Sequence, residues 1–296
     1  MSCPTDTRTW IRCPACDQDQ ATLWLRKQGF DIVTCRACRV RYVNPRPAPD
    51  ELAAMYRDGY FSPTLAQAAG WHHLRHDAMK QATAQLRLQL LQEFHPRGRL
   101  LDVGCGGGMF VRVAREAGWS AIGLEPSPEA AAHAARERRI PIVAGRLEQL
   151  PFAGRRFDAV TMLDVLEHLF SPRACLAEVR ALLAPQGVLL IETPNMAGWL
   201  PRLMGSRHPW VRPPEHLTYF TPATLRLALD RAGFRVLRLL TRASKVLTPE
   251  YVLGLMESTN PLLAALGKQT VGRWRVVSER RFHVPLEVLL AVATVE

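Results

Sequence analysis

The chain has 296 residues, of which 48% are hydrophobic and 22% charged, and its formal net charge is +11. This composition excludes wholesale disorder and leaves enough apolar material for a substantial core. No apolar run reaches the roughly 20 residues that span a bilayer, and the N-terminus lacks the apolar stretch of a signal peptide. We therefore expect a cytoplasmic protein without a transmembrane segment.

Two tight cysteine pairs lie near the N-terminus, Cys13 with Cys16 and Cys35 with Cys38. The C-x2-C spacing and the separation of the pairs are typical of a zinc ribbon, in which four thiolates surround a structural Zn2+. Two disulfides or redox-active pairs are the alternative, but thiols stay reduced in the cytosol, which favours zinc. The sequence predicts a zinc ribbon over residues 1–45.

Strands and helices alternate along most of the remaining chain. Residues 46–96 are interpreted as a proline-containing linker and a helical lid, with helical periodicity over 71–94. The alternation that follows predicts a mostly parallel sheet covered by helices on both faces. The predicted strands cover 99–103, 120–124, 141–144, 157–163, 188–192 and 234–240, and the predicted helices 109–117, 128–138, 174–183 and 221–233.

Two segments of the later chain do not continue the alternation of strands and helices. A long loop is predicted over 193–220, and its length together with Trp210 and Arg212 suggests a lid for a flat, sugar-like or anionic substrate. The tail ends in a predicted buried strand over 286–295, preceded by an insertion over 243–284. Short apolar stretches within 250–267 predict packing against the core, or else a peripheral membrane or subunit contact.

The stretch LLDVGCGGG places glycines directly after a predicted strand, where backbone N–H groups face a ligand cleft. No lysine follows as a P-loop requires, and Met109 stands where a dinucleotide fold needs its third glycine. The remaining pattern is an acid, Asp102, before spaced glycines. It suits a ligand with a cationic amino-acid end and no phosphates. Glu125 ends the next strand, where a carboxylate can bind both hydroxyls of a ribose.

Four stretches in this order, LLDVGCGGG, GLEPSPEA, LEQLPFAGRRFDAVTMLDVLEHLFSP and VLLIETPN, resemble class I S-adenosylmethionine-dependent methyltransferases. The resemblance implies a Rossmann-like α/β domain over 97–296, with a seven-stranded sheet whose last strand is antiparallel, and S-adenosyl-L-methionine as cofactor. It also implies cofactor contacts at Asp102, Gly104, Cys105, Gly106, Glu125, Pro126, Leu147 and Leu163. The ribbon and the stretches NPRP and PPEHLTYFTPATL resemble a subgroup with an N-terminal zinc ribbon.

One position departs from that family. Arg146 stands where the family often has an aspartate beside the adenine amino group, and an arginine has no acceptor for that group's hydrogen bond. The neighbouring backbone at Leu147, or the side chain of Glu148, would have to accept it instead.

Two histidines are candidates for a general base, because histidine titrates near neutrality. His168 follows the predicted strand 157–163, and His216 lies in the long loop. The alternatives are structural: a hydrogen bond that fixes a turn for His168, and a loop anchor for His216. Asn195 and Tyr219 are candidates to orient a polar group of the substrate, with turn chemistry and packing as their alternatives.

The expected function is methyl transfer to a small-molecule acceptor: a sugar, a lipid precursor or a secondary metabolite. Transfer to oxygen is favoured over carbon or nitrogen. One alternative is an RNA methyltransferase whose ribbon and arginine-rich surface grip phosphates. Nucleic acid is the less favoured partner, because the N-P-P-[YF] motif of base N-methylation is missing after residue 163. Another alternative is a non-catalytic cofactor-binding module that docks a protein.

Overall fold

The computed structural model describes residues 8–57, 77–147, 152, 154–248 and 282–295. These residues form three sheets. The central sheet has seven strands: β4 (Arg99–Val103), β5 (Ser120–Glu125), β6 (Ile142–Ala144), β7 (Phe157–Leu163), β8 (Leu183–Pro194), β10 (Phe234–Leu240) and β13 (Val288–Val295).

The strand order of the central sheet is β10-β13-β8-β7-β4-β5-β6. Neighbours from β8 to β6 are parallel, whereas β13 runs antiparallel to both β8 and β10. The predicted α/β fold with an antiparallel last strand is therefore confirmed. Parallel strands place their carboxyl ends at one edge of the sheet, so the loops that follow β4, β5, β7 and β8 meet there.

Five helices accompany this sheet: α2 (Asp77–Gln92), α3 (Met109–Glu116), α4 (Pro128–Arg138), α5 (Pro172–Leu182) and α7 (Pro222–Arg231). Their starts follow ordinary capping chemistry, because Ser127, Ser171 and Thr221 each accept a backbone N–H before a proline at the first turn. Alternating strand residues divide the core: Leu101 and Leu189 belong to one apolar cluster, and Leu100 and Leu190 to another.

Helix α2 is part of this core. Leu88 and Leu91 are buried in the same cluster as Val111 of α3, and Met79 packs against Val246 and Leu247. The described part of the segment predicted as a helical lid, residues 77–92, is a helix whose apolar face packs in the core. The helix α1 (Pro49–Arg57) lies between the ribbon and α2 in the chain.

The N-terminal sheet has the order β1 (Ala21–Lys27), β2 (Phe30–Cys35), β3 (Arg41–Val43) and β9 (Thr218–Tyr219). Its fourth strand comes from the segment predicted as a loop, and Tyr42 pairs with Thr218. The same segment contains α6 (Trp199–Met204) and a 3-10 turn over Gly205–Arg207. The prediction of a loop over 193–220 is therefore wrong, because β9 is created by pairing with a strand far away in the chain.

The tail contributes a small two-stranded sheet. β11 (Ala243–Leu247) pairs antiparallel with β12 (Phe282–Leu286) at the two ends of the predicted insertion. The stretch 250–267, proposed as a membrane or subunit contact, lies outside the described residues. Across the part of the chain that the structure describes, no helix has the length and apolar character needed to cross a membrane.

Candidate functional site

The glycine-rich turn between β4 and α3 requires its glycines for two reasons. Gly104, Gly106 and Gly108 all have positive φ, at 69°, 51° and 73°, in the left-handed region that residues with a Cβ rarely adopt. A Cβ on Gly104 would lie 2.6 Å from Val165, and one on Gly108 2.4 Å from Ile140. A Cβ on Gly106 would meet nothing within 4 Å, which leaves open space beside its backbone.

Glu125 ties this turn to the end of β5. Its Oε2 accepts the N–H of Gly106 at 2.8 Å and its Oε1 accepts the N–H of Ser127 at 2.9 Å. The side chain is buried, with 3% exposure, and burial raises its pKa to about 7. An ionised carboxylate offers about four lone pairs, so two acceptor positions remain for hydroxyl groups of a ligand.

Asp102 lies deeper than the sequence suggested. Its Oδ1 accepts the hydroxyl of Thr161 on β7 at 2.6 Å, and the side chain is buried. Burial raises the pKa of Asp102 to about 7, and the nearby charge of Glu125 contributes to the increase. The two predicted acids therefore belong to one electrostatic site at the carboxyl edge of the sheet.

The other predicted cofactor residues surround the same edge. The thiol of Cys105 packs so closely on Gly123 that a Cβ there would lie 2.5 Å from its Sγ. Pro126 follows Glu125 directly, Leu147 is buried just after β6, and Leu163 ends β7 half-buried. The side chain of Glu148 lies outside the described residues, so the acceptor proposed for the position beside Arg146 stays a prediction.

The two candidate histidines, far apart in sequence, are in contact. His168 ends a 3-10 turn (Leu166–His168) after β7, and the rings of His168 and His216 are 4.7 Å apart and perpendicular. The Nδ1 of His168 lies 2.8 Å from the backbone carbonyl of Glu215. Because a carbonyl only accepts, Nδ1 carries the proton and Nε2 keeps its lone pair. Burial lowers the pKa of both imidazoles, well below the ordinary value for His216.

Sequence reasoning missed Glu167, which faces His168. The side chain is 1% exposed, and its Oε2 accepts the hydroxyl of Thr193 at 2.9 Å. Its Oε1 lies 3.8 Å from His168 Nε2 and accepts no hydrogen bond from any described residue. Burial and the charge of Asp164 raise the pKa of Glu167 to about 8. Its place beside His168 in the stretch LEH was the available signal.

Donor atoms of Glu167, His168 and His216 all lie within 4.8 Å of one another. Carboxylate oxygens and imidazole nitrogens are ligand atoms that divalent cations accept. The trio therefore has the composition and the compactness to bind a cation as well as to exchange a proton.

Asn195 and Tyr219 have different surroundings. The amide of Asn195 donates to the carbonyl of Thr241 at 3.1 Å and accepts the N–H of Ala197 at 3.0 Å, so both of its ends bind backbone. Tyr219 is buried on β9, and its hydroxyl has no hydrogen-bond partner among the described residues. Burial raises the pKa of Tyr219. Asn195 thus fixes a turn, and Tyr219 presents an unpaired buried hydroxyl.

An ion network absent from the sequence predictions lies at the same edge. Arg87 of α2 forms an ion pair with Glu192, and Lys245 of β11 lies 2.7 Å from both Glu192 and Asp164. Glu192 is 2% exposed, and Lys245 and Arg87 lower its pKa against the effect of burial. The network joins α2 and the two-stranded tail sheet to the ends of β7 and β8.

The four ribbon cysteines converge, with all sulfur atoms within 4.8 Å of one another. The Sγ atoms of Cys13 and Cys38 are 3.5 Å apart, as are those of Cys16 and Cys35. Tetrahedral zinc with Zn–S bonds of about 2.3 Å separates its sulfurs by about 3.8 Å. The donor set and its spacing therefore fit Zn2+. None of the four is in a disulfide.

Comparisons with a family model and with known proteins both point to methyltransferases. Residues 71–239 match the family model described as a methyltransferase domain. A ubiquinone biosynthesis O-methyltransferase from Azorhizobium caulinodans is 30% identical in an alignment of 158 residues, which covers 47% of this chain and 59% of the relative. The chain thus spans less than two thirds of that relative's length.

Solved structures show the same fold at low identity. The 1,6-didemethyltoxoflavin-N1-methyltransferase of Burkholderia thailandensis, with bound 1,6-didemethyltoxoflavin and S-adenosylhomocysteine, superposes with a TM-score of 0.52 at 19% identity, covering 94% of this chain and 100% of its own. The magnesium protoporphyrin IX methyltransferase of Synechocystis PCC 6803 gives 0.52 at 18%, covering 83% and 100%. Because the family model matches more than half of the residues and the sheet has this fold, the chain belongs to the methyltransferase-domain family.

Proposed function

We propose that the protein is an S-adenosylmethionine-dependent O-methyltransferase acting on a small molecule with an acidic hydroxyl. One observation carries the proposal. The Gly106–Glu125 cradle lies at the ends of β4 and β5, and the His168 imidazole, oriented with a basic Nε2, follows β7, so these parallel strands bring both to one edge of the sheet. A cofactor site and a base at the same edge are what this reaction requires.

The residues of the Gly106–Glu125 cradle fit S-adenosylmethionine. The glycine turn leaves open space at Gly106, and the Glu125 carboxylate lies beside it with free lone pairs for the ribose hydroxyls. Asp102 and Glu125 supply negative charge for a cationic ligand, and Leu147 and Leu163 are apolar neighbours suited to the adenine. When bound, the cofactor supplies a methyl group on a sulfonium that is already a strong electrophile.

The His168 imidazole would perform the proton transfer. His168 Nε2 would accept the proton of the acceptor hydroxyl while Nδ1–H stays bound to the carbonyl of Glu215. That carbonyl stabilises the imidazolium that forms, and Glu167 provides a carboxyl group 3.8 Å from Nε2. His216 is then a positioning residue that packs against His168 and restricts its ring orientation.

The weak basicity of a buried imidazole favours an acidic acceptor. A phenol ionises near pKa 10, far below an alcohol of a sugar, so a histidine of lowered pKa can remove a phenolic proton more readily. A relative named for O-methylation in ubiquinone biosynthesis supports the same class. We therefore place phenolic secondary metabolites and quinone precursors ahead of sugars and other lipid precursors.

A panel assay tests this function. Purified protein with S-adenosylmethionine is offered phenols, catechols, sugar nucleotides and RNA, with and without Mg2+ or EDTA, and release of S-adenosylhomocysteine is measured. We expect turnover with phenolic acceptors, and at subsaturating S-adenosylmethionine a strongly reduced rate in the matched Glu125→Ala protein. Turnover with RNA alone would favour the RNA methyltransferase. Cofactor binding without turnover on any acceptor would favour a non-catalytic module.

A structural zinc ion is the second cofactor that we propose. We expect one Zn2+ per chain by elemental mass spectrometry, and its loss in Cys13→Ser and Cys35→Ser proteins, because a tetrahedral site needs four thiolates. Cys175→Ala, a buried cysteine of α5 outside the cluster, is the control and should keep the metal. Zinc-free protein with two disulfides, detected after alkylation of free thiols, would contradict the proposal.

A further inference from the structure

Arg46, in the stretch NPRP after β3, is completely buried. Its guanidinium donates to five oxygens. Nε binds the carbonyl of Val43, one terminal nitrogen binds the carbonyls of Leu169 and Phe170, and the other binds Leu217 and Thr218. The contacts to Leu169, Leu217 and the Thr218 hydroxyl are 3.0, 3.1 and 2.7 Å long.

Four of these five partners fall into two segments with a common property, and the fifth, Val43, belongs to β3. Leu169 and Phe170 directly follow His168, and Leu217 and Thr218 directly follow His216. One side chain therefore bridges the two chain segments that carry the paired imidazoles. Backbone bonds extend the bridge, because Val43 donates to the carbonyl of Leu217 at 2.9 Å and Leu217 donates to that of Glu167 at 2.8 Å.

The number and direction of its hydrogen bonds explain why an arginine occupies this buried position. Its charge has no carboxylate partner among the described residues, and a buried cation without a counter-charge is costly. An apolar side chain of similar size would leave these five oxygens without their donor, and unpaired buried acceptors are costly. The planar fork, in contrast, holds several carbonyls at fixed angles, which the single ammonium of lysine cannot reproduce.

We propose that Arg46 is a positioning residue for the methyl-transfer site: by binding both segments it sets the separation and angle of the His168 and His216 rings. The inference rests on the proposed function for its kinetic consequence, but the ring geometry can be observed without any acceptor. It also assigns the ribbon a role, because the chain that carries Arg46 is held beside β9 by β3.

The test compares Arg46→Lys with Arg41→Lys. Arg41 stacks on Trp24, and among the described residues its guanidinium makes no hydrogen bond to either histidine segment. In Arg46→Lys we expect kcat to fall about tenfold or more, since small misplacements of a base are costly. Cofactor affinity and zinc content should stay at wild-type values. In histidine-labelled protein, the NMR cross-relaxation between the His168 and His216 rings should weaken. Arg41→Lys should keep both the rate and the ring contact.

A second variant covers the case in which Arg46→Lys does not fold. Thr218→Val removes one hydrogen bond of the fork and leaves Arg46 in place, so we expect a smaller loss of kcat and a weakened ring contact. An unchanged ring contact in the folded Arg46→Lys protein, or in Thr218→Val if it alone folds, overturns the proposal. If the wild-type protein has no turnover with any acceptor, the proposed function fails, and the ring contact still decides the role of Arg46.

Discussion

Replacing His168 with glutamine is expected to lower kcat by about 10²–10⁴-fold, the usual contribution of a positioned general base. Glutamine keeps a polar group of similar length but cannot accept a proton at neutral pH. The affinity for S-adenosylmethionine should not change, because His168 follows β7 and the cofactor cradle follows β4 and β5. The measurement is kcat with a phenolic acceptor, together with cofactor binding by calorimetry.

The pH profile gives a second readout of the same substitution. Burial lowers the pKa of His168 below 6.5, so the neutral, basic form prevails at pH 7 and is lost only as the pH falls through the lowered pKa. At saturating S-adenosylmethionine, the wild-type kcat/KM for the acceptor should therefore rise with pH on the acid side, with its midpoint below pH 6.5, and then level off. His168→Gln should lack that acid limb.

His95→Gln is the matched control for this prediction. His95 precedes β4, at the edge of the sheet opposite the carboxyl ends, and its ring lies 6.0 Å from that of Trp119. Its substitution should leave kcat and the pH profile as in the wild type. If His216→Gln removes the activity and the acid limb while His168→Gln retains both, the base is His216 and our assignment is wrong.

Replacing Glu125 with glutamine is expected to weaken S-adenosylmethionine binding by about 10- to 100-fold. Hydrogen bonds to a charged group contribute about 1.5–3 kcal/mol, and the substitution removes the charge that would bind the ribose. The amide nitrogen would also face the N–H of Gly106 or Ser127, two donors that now bind the carboxylate. Calorimetric titration of wild type and variant measures the effect directly.

The cofactor affinity should also depend on pH through the same carboxylate. Burial raises the pKa of Glu125 to about 7, so the group is charged above that value and protonates as the pH falls through it. We expect wild-type affinity to decline from pH 8 to pH 6. Glu129→Gln, an exposed acid in the first turn of α4, is the control. Equal affinity in wild type and Glu125→Gln across this range would contradict the proposed cradle.

Much of the fold could be predicted because its signals are local. Alternating strands and helices predicted the central sheet, and the helix starting at Thr221 was recognised from its capping residue and following proline. The predicted last strand was two residues too long, since Leu286 ends β12 and β13 begins at Val288. Strand β9 could not be predicted, because two residues become a strand only when a ribbon strand lies beside them.

The residues of the candidate site also divide into those that local sequence predicted and those that only distant contacts place there. Asp102, the glycines and Glu125 were found because one short motif and the next strand end carry them, although their binding roles stay predictions. Glu167, Lys245 and Arg46 were not found as parts of the site. Each owes its place to partners distant in sequence: Thr193 for Glu167, Asp164 for Lys245, and Leu217 for Arg46.

The amino-acid sequence by itself determined the class of fold, the cysteine spacing and the acid–glycine–acid pattern, because each depends on residues near one another in the chain. Only the tertiary structure decided that His168 and His216 touch, that a buried arginine bridges their segments and that the N-terminal sheet takes its fourth strand, β9, from the segment of His216. The physical reason is that hydrogen bonds and burial act through space, so the environment of a side chain is set by whichever segments the fold brings against it.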